Sequence, residues 1–147
     1  MPTFYQLLSG IQKQKINRLS RVMREGSPKY RFTVTTGLAA GAWEGFDINR
    51  QFPRAAKYQP LDSCRVINND AVDIAITFNG RADELYFIVP AGTIRRISRE
   101  EVAAIWNVII TNLDAAAVVV ANMINCEFWR SPEDADSVAR QDYNGKK

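Results

Sequence analysis

Val72-Asp-Ile-Ala-Ile-Thr-Phe-Asn-Gly80 decides the reading of the fold. Val72, Ile74, Ile76 and Phe78 alternate with Asp73, Ala75 and Thr77, the period of two that a strand shows when one face is buried. Asn79-Gly80 follows at once, and both residue types accept the positive φ that a tight hairpin turn requires. A strand of this pattern closed by this turn points to an antiparallel sheet packed on a core.

The pattern recurs on both sides. After a loop at 79–83, Leu85, Phe87 and Val89 form an apolar row against Tyr86 and Ile88. Pro90-Ala-Gly92 reads as a turn, with Pro presetting φ and Gly allowing it to be positive. A short strand at 93–97 follows. Ser98-Arg-Glu-Glu101 has the form of a capping box. Beyond it, Val102, Ile105, Trp106 and Ile109 fit a helix, while Ala104, Trp106, Val108 and Ile110 fit a strand. The β-branched content of 105–111 decides for one helical turn at 99–103 and a strand over 104–112. Asn112-Leu-Asp114 turns the chain into 115–129. There both alternating rows begin apolar, Ala116, Val118 and Val120 against Ala117, Val119 and Ala121. Such a strand is expected to be covered on both sides, with the N-terminal helix, a long loop or another subunit as second cover.

Upstream, Cys64, Val66 and Asn68 oppose Arg65 and Ile67 in a strand at 61–68. Tyr30, Phe32, Val34 and Thr36 oppose Arg31, Thr33 and Thr35 in another at 30–36. The stretch 37–60 keeps no period and is punctuated by Gly37, Gly41, Gly45, Pro53 and Pro60, so it reads as a long loop. Within it Trp43, Phe46, Phe52 and Tyr58 are interspersed with Arg50, Arg54 and Lys57. Rings interleaved with cations are what single-stranded nucleic acid binders use. Aromatics tucked into the sandwich edge, or ordered against a neighbouring subunit, fit the same stretch.

Residues 4–24 read as a helix ended by Gly26-Ser-Pro28. Phe4, Leu7, Leu8, Ile11, Leu19 and Val22 share one side, although Lys15 and Arg18 split that stripe. The segment holds the charge asymmetry of the chain. Lys13, Lys15, Arg18, Arg21, Arg24, Lys29 and Arg31 stand against Glu25 alone in residues 1–31, a net +6 within a total of +3. The rest is mildly acidic. Two readings stay open: an amphipathic helix lying on its own sheet, or an arm that meets nucleic acid, a lipid surface or an acidic protein face. After Arg130-Ser-Pro132 core-forming residues become scarce and 131–147 reads as a flexible tail. The expected organisation is a basic helical arm at 1–29, a β-sandwich domain at 30–130 and the tail.

The chain has 147 residues, 46% of them hydrophobic, which suits one domain with a real core. No apolar run approaches the ~18 residues of a membrane span, and the N-terminus carries no readable secretory leader. Histidine is absent, which removes Ser-His-Asp and Cys-His chemistry and His-based metal sites. The adjacent acids Glu100 and Glu101 point to different sides in either structure and make no catalytic pair. The acids at 133–136 lack the EF-hand pattern. No catalytic residue, metal or cofactor is expected. Cys64 and Cys126 read as reduced buried thiols, with pairing open if their strands are neighbours.

The succession Val66-Ile-Asn-Asn-Asp-Ala-Val-Asp-Ile-Ala-Ile-Thr-Phe-Asn-Gly80, then Tyr86-Phe-Ile-Val-Pro-Ala-Gly92, then 105–112, resembles small β-sandwich structural proteins of bacterial viruses, of capsid, decoration or vertex type. The resemblance covers about 64–128. It implies a mainly β, jelly-roll-like antiparallel sandwich without catalysis or cofactor, made in a host cytoplasm and built into a virion. It also implies partners: copies of itself and other virion proteins, reached by extended arms. Candidate partner or nucleic acid contacts are Lys13, Lys15, Arg18, Arg21, Arg24, Arg50, Arg54 and Lys57. Candidate apolar interface residues are Phe4, Leu7, Leu8, Ile11 and Trp43, with strand 115–124 as the face to be covered. A nucleic-acid-binding module is the first alternative. A carbohydrate- or receptor-binding sandwich using Trp43, Asp47 and Asn49 is the second.

Overall fold

Most alternating stretches of the sequence become strands over part or all of their length, β1 ending at Thr33 rather than 36, and the pairing of these strands is nested. The computed structural model describes residues 25–81 and 85–132, and Pro28–Arg130 forms one compact unit. The expected helix at 4–24 and the tail beyond 132 lie outside the described residues. The strands are β1 (Tyr30–Thr33), β2 (Trp43–Asp47), β3 (Ser63–Asn68), β4 (Ile74–Phe78), β5 (Tyr86–Val89), β6 (Ile94–Ile97), β7 (Asn107–Asn112) and β8 (Ile124–Trp129). β1 pairs with β8, β2 with β7, β3 with β6 and β4 with β5, all antiparallel. Two further pairings, β3 with β8 and β4 with β7, complete two four-stranded sheets of order β1-β8-β3-β6 and β2-β7-β4-β5. The result is an antiparallel β-sandwich.

The inner rows follow the period of two. Phe32, Cys64, Val66, Ile97, Ile124, Cys126 and Phe128 come from the first sheet. Phe46, Ile74, Ile76, Phe78, Val89, Val108 and Ile110 come from the second. The β1–β2 side of the sandwich is sealed by aromatic rings. Phe32 and Phe46 lie 4.1 Å apart, Phe46 meets Phe128 edge-on at 5.7 Å, and Phe52 closes on Tyr30 at 5.5 Å. The opposite side is sealed by Arg95, whose guanidinium lies 5.0 Å from the centre of the Phe87 ring and donates to the Ile88 carbonyl at 3.0 Å. One cation thus joins the edge strands of both sheets.

The turn chemistry matches the sequence. Asn79 and Gly80 take φ values of 60° and 69°, and Gly92 takes 69°. Asn79 also works through its side chain. Its amide donates to the Ala104 carbonyl at 2.8 Å, and its carbonyl accepts the Trp106 N–H at 2.8 Å. The chain is thereby re-registered before β7. Ile105 is buried while Trp106 turns outward, so the strand starts at Asn107 rather than 104. The helical turn is present at Arg99–Val102, with the Glu101 carboxylate accepting the Ser98 N–H at 3.4 Å.

Two expectations are corrected. The stretch 37–60 is not a loop throughout: it holds β2, a helical turn at Ile48–Gln51 and a 3-10 turn at Pro53–Tyr58. The strand escaped notice because its polarity is inverted. Glu44 lies on the inward row with Phe46, while Trp43 and Gly45 lie on the outward one. The second correction concerns 115–129, where only Ile124–Trp129 is a strand. Residues 115–121 are not doubly covered either. Val119 alone is buried, in a bridge to Leu38, while Val118 and Val120 stay 54% and 56% exposed.

The reason is where the backbone donors go. The Ala116 and Ala117 N–H groups are taken by the Asp114 carboxylate, both at 2.7 Å. Val119 N–H goes to the Leu38 carbonyl at 2.9 Å and Val120 N–H to the Asp70 carboxylate at 2.8 Å. With its donors committed to side chains and a single bridge, the segment crosses from β7 to β8 without joining either sheet. Asn122, at φ 67°, turns it into β8.

Buried amides hold this end together. Asn112 donates to the carbonyls of Leu38, Ala39 and Ala117 at 3.0, 3.1 and 2.9 Å, and accepts the Asp114 N–H at 2.9 Å. Asn68 repeats the device, donating to Val72 and Val89 carbonyls at 2.9 and 3.1 Å and accepting the Asp70 N–H at 3.0 Å. Asn112→Leu takes the partner from the Ala117 carbonyl and the Asp114 N–H, while the Leu38 and Ala39 carbonyls keep the N–H groups of Val119 and Ala42. A loss of roughly 1–3 kcal/mol is expected by denaturant unfolding, whereas Val120→Ala should change little.

Cys64 and Cys126 are free and buried, on adjacent strands offset by two residues, since Cys126 pairs with Val66 and Cys64 with Phe128. Burial pushes the Cys126 thiol up to about 12. Burial first, then Cys126 and Glu127, raises Cys64 well above its ordinary value. Neither thiol should react with an alkylating reagent at pH 8 until the protein unfolds. Because the folded pKa values lie above the unfolded ones, this contribution is complete below about pH 8.5 and is lost as pH rises toward the folded values. Replacing both by Ala should flatten that alkaline decline in a pH series of unfolding curves.

Candidate functional site

The two outward faces of the sandwich carry opposite chemistry. On the first sheet the register places Arg31, Glu127, Arg65 and Arg96 side by side across all four strands. Glu127 is only 9% exposed. It lies 3.5 Å from Arg65 Nε and 3.9 Å from Arg31 Nε. The next row is polar to apolar: Thr33, Asn125, Ile67 and Ile94, with Thr33 Oγ1 donating to Asn125 Oδ1 at 2.8 Å. A shallow hollow of about 290 Å³ lies over these rows. At the edge, Lys29 Nζ stands 4.8 Å from the centre of the Trp129 ring. This face therefore presents several cations around one sunken carboxylate.

The second sheet's outward face has two central rows, Trp43–Thr111–Ala75–Ile88 and Gly45–Ile109–Thr77–Tyr86. No charged side chain occurs in either. Trp43 is 64% exposed and Ile88 45%, with Tyr86 also exposed. Ala75 and Thr77 are buried although they face outward, so every residue of β4 is buried. The strand covered on both faces is thus β4, not 115–124. Gly45 leaves close room here: an added Cβ would stand 3.2 Å from the Trp43 ring and 3.3 Å from Ile109 Cγ1, so these side chains would have to shift by a few tenths of an ångström. Its absence lets the indole lie over the edge strand. Beside it a hollow of about 450 Å³ is lined by Trp43, Gly45, Asp47, Arg50, Gln51 and Asn107 among others. Among the described residues, charges appear at the ends of the face, with Asp47 at one and Asp73 and Asp114 at the other. Two backbone N–H groups, from Ala117 and then Ala116, hold the Asp114 carboxyl below its ordinary range.

Of the residues singled out from sequence, Lys13, Lys15, Arg18, Arg21, Arg24, Phe4, Leu7, Leu8 and Ile11 lie outside the described residues. Arg50, Arg54 and Lys57 are exposed on the short helical turns after β2. Arg50 lies 3.9 Å from Asp47, Lys57 stands over the Tyr58 ring at 5.3 Å, and the Arg54 carbonyl accepts the Tyr30 hydroxyl at 3.4 Å. Among the interleaved aromatics, Phe46 and Phe52 point into the core, Tyr58 packs against it, and Trp43 alone stands free on the surface. Trp43 and Asp47 share the outward row of β2, whereas Asn49 Oδ1 accepts the Gln59 side-chain amide at 2.9 Å. Sequence reasoning set Tyr86 and Ile88 opposite the buried row of their strand but did not single out either, or Ile109, as a site residue. The signal was present in apolar outward positions on two successive rows. No group of three or more metal-ligating side chains occurs among the described residues, and no described helix is long and apolar enough to cross a membrane.

No protein-family model matches the chain, and no curated protein matches it. Among solved structures the chain is similar to the coat protein of Tobacco streak virus, with a TM-score of 0.30 and 9% identity, over 72% of this chain and 88% of that one. A similarity of that size fixes neither fold detail nor role.

Removing the buried anion tests the charged face. Glu127→Gln leaves Arg31 and Arg65 repelling each other across the strand. Both arginines keep solvent contact, so a discounted loss of about 1–2 kcal/mol is expected, shrinking in 1 M salt. An unchanged unfolding midpoint at low salt would show the cluster to be neutral.

Proposed function

We propose that the chain is a non-catalytic structural subunit of a virion, assembling with copies of itself or with other capsid or tail proteins through its N-terminal arm and an apolar sheet face. The observation that carries this reading is the uncharged outer face of the β2-β7-β4-β5 sheet. Exposed apolar residues gathered into one uncharged patch, rather than scattered singly, favour an interaction site. The winding supports it as architecture: eight strands paired first with last, second with seventh and so inward form a jelly roll. That arrangement recurs in capsid proteins, lectins and cupins. A histidine-based metal site of the kind cupin enzymes use is not possible, since this chain has no histidine.

The surface to be covered moves from 115–124 to the face around β4, because β4 is buried on both sides while Val118 and Val120 are single exposed residues. A nucleic acid contact remains a second reading, favoured by exposed cations near the start of β1. Lys29 and Arg31 flank Tyr30 in sequence, the Arg54 carbonyl accepts the Tyr30 hydroxyl, and the basic stretch 13–24 lies just upstream. Polyanion contact of that kind weakens steeply with salt.

Sedimentation of the purified full chain, and of one lacking residues 1–29, tests the proposal. The full chain should form discrete oligomers, seen as closed rings or shells by electron microscopy, and the shortened one should be a folded monomer. A full chain that stays monomeric at every concentration sinks the reading. Equal assembly of both forms removes the arm from it.

A further inference from the structure

The outward face of the β2-β7-β4-β5 sheet is a trough. Trp43 stands on one edge strand, Tyr86 and Ile88 on the other, and the small residues Thr111, Ala75 and Thr77 lie between them. The walls formed by Trp43 and Ile88 are three strand spacings apart, about 14 Å; at the next row Ile109 of β7 stands beside Gly45, and its gap to Tyr86 is two spacings, about 10 Å. An α-helix with its side chains is roughly 10–12 Å across.

A stripe of matching length occurs in the chain itself. Phe4, Leu7, Leu8 and Ile11 fall on one side at helical spacing and span about 10 Å of helix axis. Charge sets the direction. Asp47 is already within 3.9 Å of Arg50. At the far end Asp73 and Asp114 flank a hollow of about 170 Å³, and Lys13 and Lys15 follow Ile11 by two and four residues.

Area argues against simple stacking of two such faces. At roughly 150–250 Å² per aromatic side chain, the exposed parts of Trp43, Tyr86 and Ile88 amount to on the order of 300 Å². A standard interface takes about 800 Å² from each partner. Reciprocal exchange of arms between two copies uses both arms and both faces, and so brings the buried surface into that range.

We infer that the trough is the docking site for residues 4–11 of a second copy, laid along β7 and β4. Phe4 enters the hollow beside Trp43, and Lys13 and Lys15 reach toward Asp73 and Asp114. This rests on the reading of the chain as a self-assembling subunit.

Cysteine trapping in the full chain tests it. Leu8→Cys in one preparation and Ile88→Cys in another are mixed and mildly oxidised, while native Cys64 and Cys126 stay silent because they are buried. Ile88 is exposed, so its replacement leaves the core intact. A disulfide-linked heterodimer should dominate, and adding Asp73→Lys to the Ile88→Cys chain should lower its yield several-fold. Links between two Ile88→Cys chains would overturn the inference in favour of stacked faces. A chain carrying both cysteines that links only within itself would overturn it in favour of docking on its own sheet. Absence of any link while the wild-type chain still sediments as an oligomer would overturn this inference alone. A wild-type monomer would overturn the proposed function with it.

Discussion

The amide of Asn112 is the constraint on which the closed end of the sandwich depends. It sits at the end of the inner row of β7, 1% exposed, where water cannot replace a lost partner. Three backbone carbonyls from two separate segments converge on its two protons. The Leu38 and Ala39 carbonyls also accept the N–H groups of Val119 and Ala42, so the amide ties together groups already in turns and a bridge. A Leu at this position would leave the Ala117 carbonyl and the Asp114 N–H without that partner, at about 1–3 kcal/mol for a group so left. Asn68 does the same at the end of β3, and in both cases the aspartate two residues on donates its N–H back to the asparagine. The motif Asn-x-Asp therefore closes the sandwich twice, using side chains where strands have run out.

Once that end is tied, the segment 114–120 can cross between sheets without being a strand. Its hydrogen bonds are made by Asp114, Leu38 and Asp70. The hydrophobic contribution of the segment then reduces to one seat, Val119, while its neighbours stay in solvent. β8 is freed to lie between β1 and β3, its inner residues Ile124, Cys126 and Phe128 completing the core. The aromatic cluster around Phe46 and Phe128 and the Arg95 guanidinium on Phe87 then close the two sides.

Much of this was legible. The row Val72 to Phe78, the Asn-Gly and Pro-Ala-Gly turns, and the inward sets of β1, β3 and β5 follow from alternation and turn chemistry alone. Two places were not legible, for one physical reason. Alternation reveals a strand only when one face is apolar and the other polar. In β2 an outward Trp43 and an inward Glu44 reverse the contrast, and Gly45 erases a position. In 115–121 both rows are apolar, which suggests a buried strand, yet the donors are captured by carboxylates that no periodicity detects. The candidate surface was hidden in the same way: Tyr86, Ile88 and Ile109 looked like the unimportant side of their strands. The basic arm was legible as charge, and residues 1–24 lie outside the described residues.

A two-layer sandwich has only one core, so a strand buried on both faces carries information about its outer side. In β4 the outward Ala75 and Thr77 are small, and they lie between larger outward neighbours, Ile109 and Thr111 on one strand and Tyr86 and Ile88 on the other. Solubility alone would favour Lys or Glu on these central rows, as on any solvated sheet. Instead the central rows carry no charge, and the charges of the opposite sheet, Arg31, Arg65, Arg96 and Glu127, are gathered into one row. The two faces therefore cannot play equivalent roles in an assembly. Under the proposed reading, the neutral face takes protein contacts and the charged face is left to solvent or to an anionic partner. The unequal faces would thus give each subunit a fixed orientation within the particle.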